Sequence, residues 1–328
     1  MEPENSVFRF HFSEWIFMLH LSDTHCHLDF SHFDPDRDTV IARAREAGIE
    51  FMLVPGTDLA SSRRAVALAG GYPEVYAAVG IHPHGAKELK ETKELRELRK
   101  LAENPEVVAI GEIGLDYYRM LSPRPDQLRV FQAQLGLAAE LGLPVIVHNR
   151  DATQDVLAVL RNWTSSNDSR RSPDSQTQNA ECGMQNSAFR TPATDAGAVV
   201  LHSAFAPSTR HPLPLAGRAG VLHSFSASLA DAEASVAMGF YIGITGPITY
   251  RSGETMRHAA AGVPLERLLI ETDSPFLMPR GYRGSRNEPA YVRAVAEKIA
   301  EVRELPLETV ARQTTANART LFGLEPPS

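Results

Sequence analysis

Residues 107–151 read VVAIGEIGLDYYRMLSPRPDQLRVFQAQLGLAAELGLPVIVHNRD. An apolar run (107–116) leads to a helical pattern over 126–141 and then to a second apolar run (144–151). The runs are rich in Val, Ile and Leu and do not alternate with polar residues. That is the composition of parallel strands covered on both faces. The stretch is therefore a strand–helix–strand unit. Both strands finish on polar groups, Glu112 and Asp116 in the first, His148 and Arg150 in the second.

The same unit recurs along the chain. Further apolar runs lie at 18–23, 49–56, 75–84, 220–226, 240–246 and 267–275, with helical patterns such as 37–47, 59–70 and 229–238 between them. Eight strand-then-helix repeats predict an α/β fold, a (β/α)8 TIM barrel in a single domain over 18–325. A doubly wound open sheet is the competing arrangement, but its Gly-x-Gly-x-x-Gly turn after the first strand is missing. Residues 1–17 read as an N-terminal extension, expected to be poorly ordered. After the helix ending near Arg161, some fifty-eight residues precede the strand at Gly220, where such loops usually take roughly 2–6. The polar stretch at about 163–219 reads as an insertion between strands five and six. Within it GAVVLHSAF (197–205) resembles AGVLHSFSA (219–227), which leaves His202 and His223 as candidates for one role.

Composition sets limits on function. The hydrophobic share of 43% and charged share of 22% suit a soluble globular protein. A net charge of -7 argues against a broad basic surface that wraps duplex nucleic acid. It leaves a nucleic-acid substrate open, since bound divalent cations neutralise phosphates locally. Two cysteines, Cys26 and Cys182, give no disulfide framework and point to the reducing cytoplasm. No run is long enough to cross a bilayer, and no obligate protein partner is evident.

The polar groups fall in one kind of place. Residues 23–29 read DTHCHLD. In an extended chain His25 and His27 share a face while Cys26 points away. His82 and His84 follow the third run, Glu112 and Asp116 end the fourth, His148 and Arg150 the fifth, His223 the sixth, Glu271 and Asp273 the eighth. In a barrel all of these lie on the C-terminal rim, where active sites form. Singly, His148 is explained as a helix cap and Asp273, before Ser-Pro, as a turn residue. Together, imidazoles and carboxylates on one rim suit borderline or hard divalent ions, and Glu112 is placed to bridge two of them.

The sequence resembles the TatD family of metal-dependent deoxyribonucleases, among the amidohydrolase-like metallohydrolases. The pieces that carry the resemblance are DTHCHLD, GIHPH, AIGEIGLDYY, PVIVHNRDA, VLHSFSAS, YIGITGPIT, LLIETDSPFLMP and RGSRNEPAYV, in family order. The resemblance implies two divalent ions (Mg, Mn or Zn), with His25, His27, Glu112 and Asp273 around one and Glu112, His148 and His223 around the other. It implies hydrolysis of DNA phosphodiester bonds, as a 3′–5′ exonuclease on single strands. Asp273 and Glu112 are the candidate catalytic residues beside the attacking water, Asp273 either taking its proton or serving purely as a ligand. His223 is preferred to His202 because HSFSAS runs directly into helix 229–238. Arg150 is a candidate phosphate contact, Arg280, Arg283 and Arg286 form a basic stretch after strand eight suited to holding the substrate backbone, and His82 and His84 either line the phosphate path or hold their loop. A D-aminoacyl-tRNA deacylase and a small-molecule amidohydrolase or phosphoesterase are the alternatives on the same metal cage. A metal-binding protein without turnover ranks last, since Glu112 and Asp273 are both present.

Overall fold

The computed structural model describes residues 19–89, 93–169, 217–282 and 286–325. The N-terminal extension, most of the 163–219 insertion, Cys182, His202 and Arg283 lie outside the described residues. The repeat reads β1 (Leu21–Asp23), α1 (Arg37–Glu46), β2 (Ile49–Pro55), α2 (Leu59–Gly71), β3 (Val75–Val79) and α3 (Lys93–Ala102). It continues with β4 (Val107–Asp116), α4 (Arg124–Leu141), β5 (Val145–Arg150), α5 (Thr153–Ser169), β6 (Gly220–Leu222) and α6 (Leu229–Ala237). β7 (Phe240–Ile244), α7 (Glu254–Gly262), β8 (Leu268–Ile270), α8 (Val292–Arg303) and α9 (Leu307–Phe322) complete it. The eight strands are all parallel, in the order β1 to β8.

The seam between β8 and β1 is closed by the residues just past each strand. The amide of Thr24 donates to the Ile270 carbonyl (3.2 Å), that of Asp273 to the His25 carbonyl (2.8 Å) and that of His27 to the Ser274 carbonyl (2.7 Å). The sheet is thus a barrel, not the open sheet that competes with it.

Side chains alternate across each strand. Phe51, Leu53, Ala78, Val108, Ile146, Val221, Tyr241 and Leu269 fill the interior, while Met52, Val54, Val107, Val145, Val147 and Leu222 belong to the outer cluster with the helices. The interior layer is finished by Ala318, Leu321 and Phe322 of α9. That helix is pinned to the strand beginnings: Thr315 Oγ1 donates to the His20 carbonyl (2.9 Å) and Asn317 Nδ2 to the Leu268 carbonyl (2.8 Å). Arg218 Nε donates to the Leu321 carbonyl (3.1 Å). α9 therefore stops the N-terminal end of the barrel and leaves the C-terminal mouth for chemistry.

Local signals in the sequence set several element ends. Asp58 caps α2 by accepting from the Ser61 amide (2.7 Å), and Ser228 with Asp231 forms a capping box on α6. Gly142 ends α4 in the left-handed region at φ 65°. α5 runs to Ser169 instead of ending near Arg161. Trp163 anchors this extra length through its Nε1 bond to the Leu135 carbonyl (2.9 Å), and Ser166 bonds back to the Asn162 carbonyl (2.8 Å). Among the described residues no helix is long and apolar enough to cross a membrane.

Candidate active site

Every polar group on the C-terminal rim owes its place to the strand beneath it. His25 and His27 follow β1 and are buried side by side, while Cys26 between them faces the outer cluster, with its Sγ 3.5 Å from the Leu53 carbonyl. Glu112 lies within β4, His148 within β5, and His223 and Asp273 just beyond β6 and β8. The structure brings these six together. Glu112 Oε1 is 2.9 Å from His148 Nδ1, and Glu112 Oε2 is 3.6 Å from His25 Nε2. Asp273 Oδ1 lies 3.4 Å from His27 Nε2, 3.6 Å from His223 Nε2 and 3.8 Å from His25 Nε2. The rings of His25 and His223 stack with centroids 3.4 Å apart.

The donor set fits a divalent cation. His25 Nδ1, His25 Nε2 and His27 Nδ1 are buried without hydrogen-bond partners, and each such nitrogen costs about 1–3 kcal/mol unless something binds it. Nitrogen and carboxylate oxygen are the donors that zinc and manganese accept, and no thiolate is needed. Ligand atoms converge in three groups: His25, His27 and Asp273; His25, His223 and Glu271; His82, Glu112 and His148. The first lies inside the set that the family resemblance implies. The other two differ from it in pairing His223 with Glu271 and in bringing His82 to Glu112.

Carboxylates behind the imidazoles complete the arrangement. Glu271, fully buried, is 2.7 Å from His223 Nδ1 and accepts from the Ser224 amide (3.0 Å). Gly243 makes room for it: a Cβ there would stand 2.4 Å from Glu271 Oε1. Asp116 Oδ2 lies 2.8 Å from His84 Nε2 and 3.3 Å from His148 Nε2. Partners of this kind orient the ring and fix which nitrogen carries the proton. Asp23 binds the loop after β8 to β1, accepting from the Thr272 amide (2.9 Å), Thr272 Oγ1 (2.5 Å) and the His25 amide (3.2 Å). Sequence reasoning placed Glu271 and Asp116 on the rim without giving either a task.

Charge is distributed accordingly. Burial pushes the Glu112 carboxyl up, but His82, His25 and His148 outweigh it and hold it well below the carboxylate range. Asp273 is likewise held down against burial, by His27, His223 and His25. Burial lowers His148 and His223, yet Asp116 and Glu112 lift the former to about 9, and Glu271 and Asp273 lift the latter to about 9. Burial and the neighbouring His148 keep His82 well below its usual value, hence neutral. Its Nδ1 accepts from the His84 amide (3.2 Å), so the ring proton sits on Nε2.

Of the candidate substrate contacts, Arg150 lies over the exposed Tyr118 ring at 4.0 Å. His82 and His84 stand at the mouth beside His148, with ring centroids 4.4 and 6.3 Å from it. Arg286 is engaged elsewhere. Its guanidinium makes two 2.9 Å bonds to Asp36, donates to the His32 carbonyl and covers the Phe33 ring at 4.3 Å.

Comparison with known proteins gives a consistent result. A family model described as TatD-related DNase matches residues 22–323. An uncharacterized metal-dependent hydrolase YabD of Bacillus subtilis is 36% identical over 302 residues, covering 92% of this chain and 98% of that protein. A 3′-5′ ssDNA/RNA exonuclease TatD of Salmonella typhimurium is 37% identical over 305 residues, covering 92% and 98%. The crystal structure of YJJV, a TatD homolog of Escherichia coli K12, superposes with a TM-score of 0.73 at 30% identity, covering 94% of this chain and 100% of that one.

Proposed function

The chain belongs to the family of TatD-related DNases, and from that premise we propose that it is a divalent-metal-dependent hydrolase of phosphodiester bonds. Its substrate is single-stranded DNA, shortened from the 3′ end. The observation that carries this reading is the linked cluster of His25, His27, Glu112, His148, His223 and Asp273 at the open mouth. Two of its relatives, named a metal-dependent hydrolase and a 3′-5′ ssDNA/RNA exonuclease, agree with that chemistry.

His25, His27 and Asp273, with Glu112, would hold one ion. Glu112 and His148 would hold a second, completed by His223. Ions bound there supply Lewis acidity toward a phosphate oxygen and lower the pKa of water. The chain's own residues do the rest. Asp273, kept ionised among three imidazoles, accepts the proton of the attacking water. Neutral His82 presents its Nε2 proton to a phosphate oxygen. Arg150, braced on Tyr118, offers a guanidinium to the phosphate. Glu271 and Asp116 keep the imidazoles of His223, His148 and His84 in place.

Asp273→Asn tests this. Asp273 sits at φ 56°, a left-handed conformation that Asn also tolerates, so the variant should fold. With end-labelled single-stranded DNA and added manganese or magnesium, the parent should shorten the strand from its 3′ end and stop when chelator is added. Asp273→Asn should be slower by about 10²–10⁴-fold, the usual worth of a general base, with an unchanged melting temperature. Undiminished turnover in Asp273→Asn would overturn the assignment.

A further inference from the structure

The geometry points to a second recognition element: the cavity between the loops after β7 and β8 is a subsite for a backbone phosphate of the substrate strand, away from the cleaved bond. The inference rests on the phosphodiesterase reading above. The cavity has a volume of about 520 Å³ and is lined by Tyr250, Arg251, Met278, Pro279 and Arg280. That size suits a small ligand or one segment of a longer one. Both loops leave the C-terminal ends of neighbouring strands. The cavity is therefore on the rim that carries Asp273, in the same loop as Arg280.

The walls are built in advance. Tyr250 Oη donates to the Met278 carbonyl (2.7 Å), and the Arg280 amide donates to Thr249 Oγ1 (2.8 Å). The loops touch backbone to backbone at Gly246, where any Cβ would stand 2.0 Å from the Leu277 carbonyl oxygen. Arg257 stiffens the first loop by donating to the carbonyls of Ile248 (3.0 Å), Tyr250 (2.6 Å) and Arg251 (3.2 Å).

Charge decides the ligand. Several arginines on the barrel face a carboxylate, as Arg43 does Glu288, Arg64 does Asp29 and Arg286 does Asp36. Among the described residues, Arg251 and Arg280 have no acidic partner, although the chain carries a net charge of -7. Two like charges on one cavity, left without a counter-ion by an acidic protein, favour an anion. Met278, Pro279 and the Tyr250 ring beside them suit the sugar of a nucleotide more than a solvated inorganic ion.

The test is binding of a fluorescent single-stranded oligonucleotide to the full chain in the Asp273→Asn background, with and without Arg251→Ala and Arg280→Ala together. Both substitutions spare the backbone bonds that hold the loops. The double variant should bind roughly tenfold more weakly at low salt, and the slope of log K against log salt should fall by about 0.7, one single-strand phosphate contact. Arg312→Ala, an exposed arginine of α9 on the opposite end of the barrel, should change neither. Equal affinity and slope in parent and double variant would overturn the inference, as would an equal loss in Arg312→Ala, which would mean a diffuse field. Inorganic phosphate that stabilises the parent but not the double variant, with strand affinity unchanged, would also overturn it and assign the cavity to a free anion. A chain that binds the strand through these arginines yet cuts no DNA would leave the subsite standing and remove the phosphodiesterase reading.

Discussion

Replacing Gly243 with alanine probes how the metal centre is supported from beneath. The new methyl would stand 2.4 Å from Glu271 Oε1 and 2.5 Å from both Cδ and Oε2. Ordinary contact begins near 3.4 Å, so the carboxylate has to retreat by about 1 Å. Its bonds to His223 Nδ1 and the Ser224 amide, now 2.7 and 3.0 Å, would then exceed bonding distance. Overpacking of this kind costs about 1–3 kcal/mol, and a lost charge-assisted hydrogen bond about 1.5–3 kcal/mol. A combined loss of roughly 2.5–6 kcal/mol lowers the melting temperature of a chain this size by about 4–9 °C. With His223 no longer held, affinity for manganese or zinc should fall by about 10–100-fold. The control is Gly70→Ala in α2, where a Cβ meets nothing within 4 Å. Thermal unfolding and a metal titration on both variants decide the matter. Gly243→Ala matching Gly70→Ala in both measurements would refute the reasoning.

Two further outcomes follow from the same geometry. His148 and His223 are lifted to about 9 in the folded chain, above an unfolded value of about 6.5. Their protonation stabilises the chelator-stripped protein fully below about 6.5 and is lost as pH rises through 9. The stripped protein should therefore melt at progressively lower temperature between pH 7 and about 9.5. Metal uptake at pH 7 should release protons, read by calorimetry in buffers of different ionisation heat; a flat melting profile with no release would refute both. Phe276, 48% exposed and three residues past Asp273, is placed to stack on a base. Phe276→Ala should raise KM for single-stranded DNA roughly tenfold, with Trp restoring it, and an unchanged KM in the alanine variant would discard the contact.

How much of this was legible in the chain depends on the range of each interaction. The eight runs and the polar groups at their ends are local patterns, so the barrel and the convergence of His25, Glu112, His148 and Asp273 on one rim can be read directly. The task of Glu271 cannot, because it depends on which face of His223 it meets across the β6–β8 interval. Arg286 illustrates the same limit. In sequence it looks like a free cation after strand eight, whereas its partner Asp36 lies 250 residues away. Arg280 differs from it only in lacking such a partner among the described residues. The extra turns of α5 are not legible because Thr164, Ser165 and Ser166 read as loop residues, whereas the partly buried Trp163 against α4 and the hydroxyl bonds of Thr164 and Ser166 to the preceding turn support the helix there.

The stopper formed by α9 has a bearing on how the molecule comes into being. Residues 25 and 273 must meet across the seam, and the hydrophobic floor under them is completed only by Ala318, Leu321 and Phe322. A growing polypeptide still on the ribosome holds His25 long before Ala318, Leu321 and Phe322, which complete the floor, are made. Assembly of the reaction centre is thereby deferred until the last turn of α9 has been made.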